Sequence, residues 1–251
     1  MRLVKPAILT ACMSTGIAAQ ANACDIEHSL RYSIDGQGEH SVHLNDVLID
    51  KGDHSSGFAR LSKGLVAGIN EVSIAFTARD ANSTARYSVH KSCKGGLPDE
   101  TPIAQVSFDS TATKTLQFDT EVQDTAIYPG VERTDGSGLM AAVQSLQDAI
   151  RSRNSDAVFA LHGPLLANMV ANGAPLERIN AHVGGMIAEG ELHIQDELEM
   201  KAVLDGQAWQ VVGPRGEPPV SITRTHSDGT HGWSSGTLWI FVDGAWAILE
   251  P

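Results

Sequence analysis

The stretch YPGVERTDGSGLMAAVQSLQDAIRSR, residues 128–153, decides how this chain is divided. Its first part is rich in glycine, proline and polar groups, so residues 129–138 read as a linker. Its second part changes the hydrophobic period. Leu139, Val143, Leu146 and Ile150 recur at helical spacing and form one apolar stripe. Upstream of the linker the pattern alternates with period two. Downstream, helical patterns come first and alternation returns later. The expectation is an all-β sandwich over residues 24–128, followed by an α+β domain over residues 139–251 in which helices pack on a curved antiparallel sheet.

Upstream, IEHSLRYSI (26–34) sets Ile26, His28, Leu30, Tyr32 and Ile34 on one face and Glu27, Ser29, Arg31 and Ser33 on the other. That is the signature of a half-buried strand. Asn45-Asp46 separates two short apolar runs, and such a pair tolerates the positive φ angles of a tight hairpin. GLVAGINEVSIAF (64–76) brings Val72, Ile74 and Phe76 onto one face. Further strands are expected over 84–92, 102–108 and 113–120. Short strands with turns every 8–12 residues point to a sandwich. Leu65, Gly68, Asn70, Val72 and Ile74 resemble the Leu-x-x-Gly-x-Asn-x-Val-x-Val stretch of immunoglobulin-like and jelly-roll sandwiches in exported bacterial proteins.

Downstream, Asn154 or Ser155 is placed to cap a second helix, PLLANMVANG adds a third, and Pro175 opens a fourth. After Gly190, Leu192 and Ile194 alternate, as do Leu198, Met200, Ala202 and Leu204. WQVV, VSITRTH, GTLWIFV and AWAIL supply more strands, with turns expected at 227–230 and at Asp243-Gly244. This order, with the closing FVDGAWAIL, resembles the NTF2-like (cystatin-like cone) superfamily. The resemblance implies a pocket between helices and sheet, and in some members an enzyme.

The first residues fix the expected compartment. Arg2 and Lys5, a short apolar run and Ala21-Asn22-Ala23 form a charged region, a hydrophobic region and a small-x-small cleavage pattern. Residues 1–23 read as a signal peptide, and the protein as periplasmic or secreted. Of three cysteines, Cys12 leaves with that segment. Cys24 and Cys93 remain, and in an oxidising compartment a pair is expected to form a disulfide. Lipidation of Cys24 is the alternative, although the Leu-small-small pattern that precedes a lipidated cysteine is absent.

Removing Arg2 and Lys5 from 18 basic residues leaves 16 against 30 acidic ones, a net charge of −14. No basic stripe is present, so nucleic acid is not an expected partner. No later segment is apolar enough to span a bilayer. The expected partner is an envelope protein or a small ligand, without a cofactor.

Candidate chemistry is thin. Arg224, Trp209, Trp239, His193 and Asp196 are the candidate lining of a pocket for an anionic or aromatic ligand. Asp196, His193 or His226 would be the acid or base if the domain were catalytic. A steroid-isomerase type of site would lack its tyrosine donor, because Tyr32, Tyr87 and Tyr128 all precede the second half. His226 and His231 flank the expected turn, and cross-strand placement would suit two metal ligands. GWSSG (232–236) matches the G-x-S-x-G pattern around Ser234, but no histidine follows it. The resulting expectation is a non-catalytic binding or interaction protein of the bacterial envelope. A small-pocket enzyme on the cone and a metal-binding protein are the alternatives.

Overall fold

The computed structural model describes residues 24–120, 128–171, 173–227 and 229–249, without the side chain of His226. The expected leader, residues 1–23, lies outside the described residues. The fold is mostly β, with four antiparallel sheets and four helices among the described residues. None of those helices is long and apolar enough to cross a membrane.

Eight strands precede residue 121: β1 (Ile26–Asp35), β2 (Gly38–Leu44), β3 (Val47–Gly52), β4 (Ser56–Arg60), β5 (Gly68–Ala78), β6 (Thr84–Cys93), β7 (Ala104–Phe108) and β8 (Ala112–Thr120). They form two sheets, ordered β4-β1-β6-β7 and β3-β2-β5-β8. The alternation read from the sequence sends Leu30, Tyr32 and Ile34 from the first sheet, and Val42, Val72, Ile74 and Phe76 from the second, into one apolar cluster. Each such side chain contributes about 1.5–3 kcal/mol when taken fully out of water.

Local chemistry fixes the turns. Asn45 and Asp46 take φ of 47° and 72°, the positive pair that a two-residue hairpin between β2 and β3 requires. Asn70 is fully buried, and its side chain closes the loop before β5. Its Nδ2 donates to Val66 O (2.7 Å) and Gly68 O (2.9 Å), while its Oδ1 accepts from Val66 N and Asn45 Nδ2. The Gly-x-Asn element therefore satisfies backbone groups that no sheet partner reaches. Cys24 and Cys93 are disulfide-bonded, with Cα atoms 5.4 Å apart, at the paired ends of β1 and β6. β4 escaped the sequence reading, because SGFAR is short, lies on a sheet edge and leaves Phe58 54 % exposed.

The remaining elements are β9 (Val131–Glu132), α1 (Leu139–Arg151), α2 (Ser155–Leu161), α3 (Gly163–Ala171), α4 (Leu176–Glu189), β10 (Glu191–Ile194), β11 (Glu199–Val203), β12 (Ala208–Val212), β13 (Val220–His226), β14 (Gly229–Ser234), β15 (Leu238–Val242) and β16 (Ala245–Ile248). Leu139, Val143, Leu146 and Ile150 are all fully buried, as the helical stripe predicts. Asn154 caps α2, its Oδ1 accepting from Ala157 N at 3.1 Å. Arg153 donates to Ile187 O and Gly190 O at the C-terminal end of α4, where a cation suits the exposed carbonyls.

One sheet here is β10-β13-β14. The other runs β11-β12-β15-β16, with β9 also paired to β15. β9 lies inside the stretch read as a linker, which also packs: Gly136 (φ 82°) sits against the Trp209 ring, and Trp246 Nε1 donates to Ser137 O. On β11 the alternation does not mark a continuous buried face. Met200 is 39 % exposed and Val203 is fully buried, because this edge strand turns inward only at its end. The turn expected at 227–230 is shorter than read: pairing resumes at Gly229 and creates β14, which the sequence reading missed.

The run Leu238–Val242 explains how the two halves meet. Trp239 belongs to a cluster shared with α1, α2 and α4, whereas Leu238, Ile240 and Val242 belong to a second cluster on the opposite face. That second cluster includes Val47 of β3, fully buried, with Ile49 and Val66 packed against it. A strand apolar at successive positions is one covered on both faces. Here the two covers are the helices and the first half of the chain.

Candidate functional site at the seam

The seam is built around β3. Gln210 is 4 % exposed, and its side-chain amide treats the outer edge of β3 as a strand partner would. Its Oε1 accepts from Leu48 N at 2.8 Å and its Nε2 donates to Leu48 O at 2.8 Å. Asp46 Oδ1 accepts from Leu204 N (3.1 Å), and Lys201 Nζ donates to Asp46 O (3.1 Å). An otherwise open sheet edge is thus capped by the second half of the chain.

Beside this contact lies a cleft of about 220 Å³ lined by Leu48, Asp50, Lys51, Lys63, Arg215 and Glu217, with Gly216 and Thr237 completing its wall. Lys51 Nζ donates to Pro214 O at 2.6 Å, which ties β3 to the loop after β12. Within that loop Glu217 accepts from Arg215 Nε (2.7 Å) and Arg215 N (2.9 Å). Burial pushes the Glu217 carboxyl up, but backbone hydrogen bonding and Arg215 outweigh it and hold the group below its ordinary value. Gly216 adopts φ 84°, and a Cβ there would meet Leu48 Cδ2 at 3.1 Å, so the loop approaches β3 closely. Thr237 is 8 % exposed, and its hydroxyl has no hydrogen-bond partner among the described residues.

Asp50 connects the cleft to the interior of the first half. Its carboxylate lies 3.4 Å from Nε2 of His40, whose side chain is fully buried. The imidazole packs edge-on to the rings of Tyr32 and Tyr87, with centroids 4.5 and 5.8 Å away. Burial pushes Asp50 up, but the neighbouring His40 imidazole, with the Tyr32 hydroxyl, outweighs it and keeps the carboxyl below its usual range. Tyr32 moves the other way. Burial, then the Asp50 carboxylate, raises its hydroxyl well above the ordinary value and keeps it protonated.

The residues expected to line a pocket are not gathered. His193 pairs with Ser221, and its Nε2 lies 3.0 Å from Thr223 Oγ1. Arg224 shares parity with core-facing Ile222, so it lies on the helix-covered face, opposite to His193, where it forms an ion pair with Glu189 of α4. Asp196 is exposed in the bend between β10 and β11. Trp209 and Trp239 face each other across β12 and β15, on the other sheet, and both indole nitrogens are buried without a hydrogen-bond partner among the described residues.

The histidine hairpin closes in a different register from the cross-strand placement considered above. His231 lies opposite Arg224, and His226 lies opposite Gly229, so the two histidines are diagonal rather than directly paired. Diagonal positions are about 7–8 Å apart, against about 5 Å for a direct pair. No group of three His, Cys, Asp or Glu side chains capable of holding a metal ion occurs among the described residues. Ser234 of GWSSG ends β14, and the chain passes directly into β15, so the strand-turn-helix of a nucleophile elbow is absent here.

Sequence reasoning missed Gln210, Asp50 and Arg215. The apolar run Leu238–Val242 carried the one usable signal, burial on two faces. Nothing local ties Gln210 to Leu48, which lies 162 residues earlier. No family model matches this chain, and the comparisons with curated proteins and with solved structures found no match.

Proposed function

We propose that this is an exported, non-catalytic binding protein of the cell envelope, and that it recognises its ligand or protein partner at the seam. In this reading the first half is an immunoglobulin-like or jelly-roll sandwich stapled by Cys24–Cys93. The second is an NTF2-like α+β domain that has given up its interior pocket. The carrying observation is the two-sided burial of β15. On the helix side Trp239, Val143, Leu146, Ile150 and Ile187 are 0 % exposed, filling the space where the resemblance implies a ligand. On the other side the contact with β3 leaves a charged cleft. Acid, base and cation candidates lie on different faces, which supports binding over turnover. The export reading rests on residues 1–23 and agrees with a disulfide at Cys24.

The test is recovery of untagged protein from the envelope fraction of its native host. Native mass spectrometry would look for a retained small molecule. A photo-crosslinker at Arg215 would capture a protein partner, with one at exposed Gln117 on β8 as the control. A retained ligand, or an adduct specific to Arg215, is the expected result. Protein confined to the cytosol, or neither ligand nor adduct, would overturn the reading.

A further inference from the structure

We infer that the outer face of the β4-β1-β6-β7 sheet is a docking surface for an extended acidic segment of a protein partner, recognised through carboxylates at alternate positions. This surface is separate from the seam, which is built on β3 of the other sheet, and does not rest on it. The first ground is the placement of three arginines. Strand pairing sets Arg60 opposite Ser29, Arg31 opposite Phe58 on β4 and Ser88 on β6, and Arg86 opposite Ser33. Arg60, Arg31 and Arg86 therefore fall on one straight diagonal across β4, β1 and β6. Their chain neighbours Ala59, Leu30, Tyr32, Ala85 and Tyr87 belong to the core, so the arginines share the outer face, and all three are exposed. No basic run marks this surface in the sequence, because each arginine comes from a different strand.

The second ground is that these charges are unpaired. Arg79, Arg151, Arg215 and Arg224 each hold a carboxylate. Arg31, Arg60 and Arg86 form no ion pair and no side-chain hydrogen bond among the described residues. In a chain with 30 acidic residues against 18 basic ones, they are a local reversal of charge. The third ground is spacing. Diagonal neighbours in a sheet lie about 7–8 Å apart, and alternate residues of an extended chain about 7 Å apart. Carboxylates at positions i, i+2 and i+4 of an extended segment thus meet the three guanidinia in turn. Each guanidinium offers a fork matched to two carboxylate oxygens. Phe58, 54 % exposed and outside the core cluster, lies directly opposite Arg31 and adds an apolar contact beside the charges. Arginine and phenylalanine are among the residues enriched in protein interfaces.

The border of the face sets the class of partner. Glu27 and Asp35 stand on the same face towards the two ends of β1, and exposed Asp109 follows β7. A long polyanion or an anionic membrane would meet these carboxylates as well as the arginines. A short acidic segment meets the arginines alone.

The experiment is fluorescence anisotropy with the mature, disulfide-bonded protein at low ionic strength. The probe is a short labelled peptide with glutamate at three alternate positions. A peptide of the same composition with its glutamates adjacent is the comparison, and phosphatidylglycerol vesicles and a sulfated glycan fragment form further arms. Saturable binding of the alternating peptide is expected, tighter than that of the adjacent one and weakening as salt rises. Arg31→Gln and Arg86→Gln should each weaken it about threefold, and together about tenfold. Phe58→Ser should weaken it as well. Arg178→Gln, at an exposed position on α4, should leave it unchanged. All these positions are on the surface, so urea midpoints should stay at the wild-type value. No saturable binding, equal affinity for the two peptides, or affinity unaltered by the double substitution would overturn the inference. Tighter binding to vesicles or glycan, lost in the same double variant, would also overturn it and assign the face to that class. The crosslink at Arg215 should persist in the double variant, and its loss would contradict the separation of the two surfaces.

Discussion

Replacing Gln210 with methionine tests whether the two halves form one cooperative unit. The side chains are similar in length, so the buried volume is kept while both hydrogen bonds to Leu48 disappear. A polar backbone group left without its partner costs about 1–3 kcal/mol, toward the lower end where water can reach it. Leu48 is partly buried, so two such groups give a loss of about 2–4 kcal/mol. Urea unfolding followed by tryptophan fluorescence reports the second half alone, because Trp209, Trp233, Trp239 and Trp246 all lie there. Amide exchange at Leu30 and Val89 reports the first half. In the wild type the two transitions should coincide. In Gln210→Met the fluorescence transition should separate from the exchange-detected one, and Leu48 should exchange about thirtyfold faster for a 2 kcal/mol loss. A variant within about 0.5 kcal/mol of wild type, with Leu48 exchange unaltered, would refute the seam as described.

Four further outcomes are expected. Replacing Cys24 and Cys93 together by serine opens a loop with a sequence separation of 69, which the chain-entropy model values at about 4 kcal/mol, read as a lower urea midpoint. Asn70→Ala removes four hydrogen bonds from a fully buried position and should lower stability by at least about 2 kcal/mol; isosteric Asn70→Leu should not restore it. Ile150→Ala, in the packed face of α1, should cost about 2–5 kcal/mol, read as a lower urea midpoint. His162 is buried, and desolvation holds it below the ordinary histidine value of 6.5 despite contacts to Val158 O and Ser235 O. The unfolded chain therefore takes up a proton that the folded chain refuses. Stability is full above pH 6.5, falls as pH drops toward the folded value and levels off below it. His162→Gln should flatten part of that acid arm, with His28 and His43, shifted in the same direction, retaining the remainder.

Elements whose physics is local were readable in the chain. The positive φ angles at Asn45 and Asp46, the stripe from Leu139 to Ile150 and the cap at Asn154 each follow from a few neighbouring residues. β4 and β14 were missed because edge strands bury little, and SGFAR and GTHGWS lack a clean apolar alternation. Met200 fits the alternation yet is exposed, because an edge strand with one side in water need not follow its pattern. For the site the loss was greater. Arg224 and His193 lie on neighbouring strands of one sheet, but strand parity sends them to opposite faces. Asp50, Lys63, Arg215 and Thr237 come together only because β3 docks on β15, a long-range contact with no short-range trace.

The central claim is that recognition happens at the seam and not within the helix-covered core. Differential amide exchange tests it most directly, on protein recovered from its native envelope before and after whatever it carries is stripped away. Protection concentrated in residues 48–51 and 213–217 is the predicted result. Protection centred on α4 and the inner face of β13, with the seam unaffected, would contradict it.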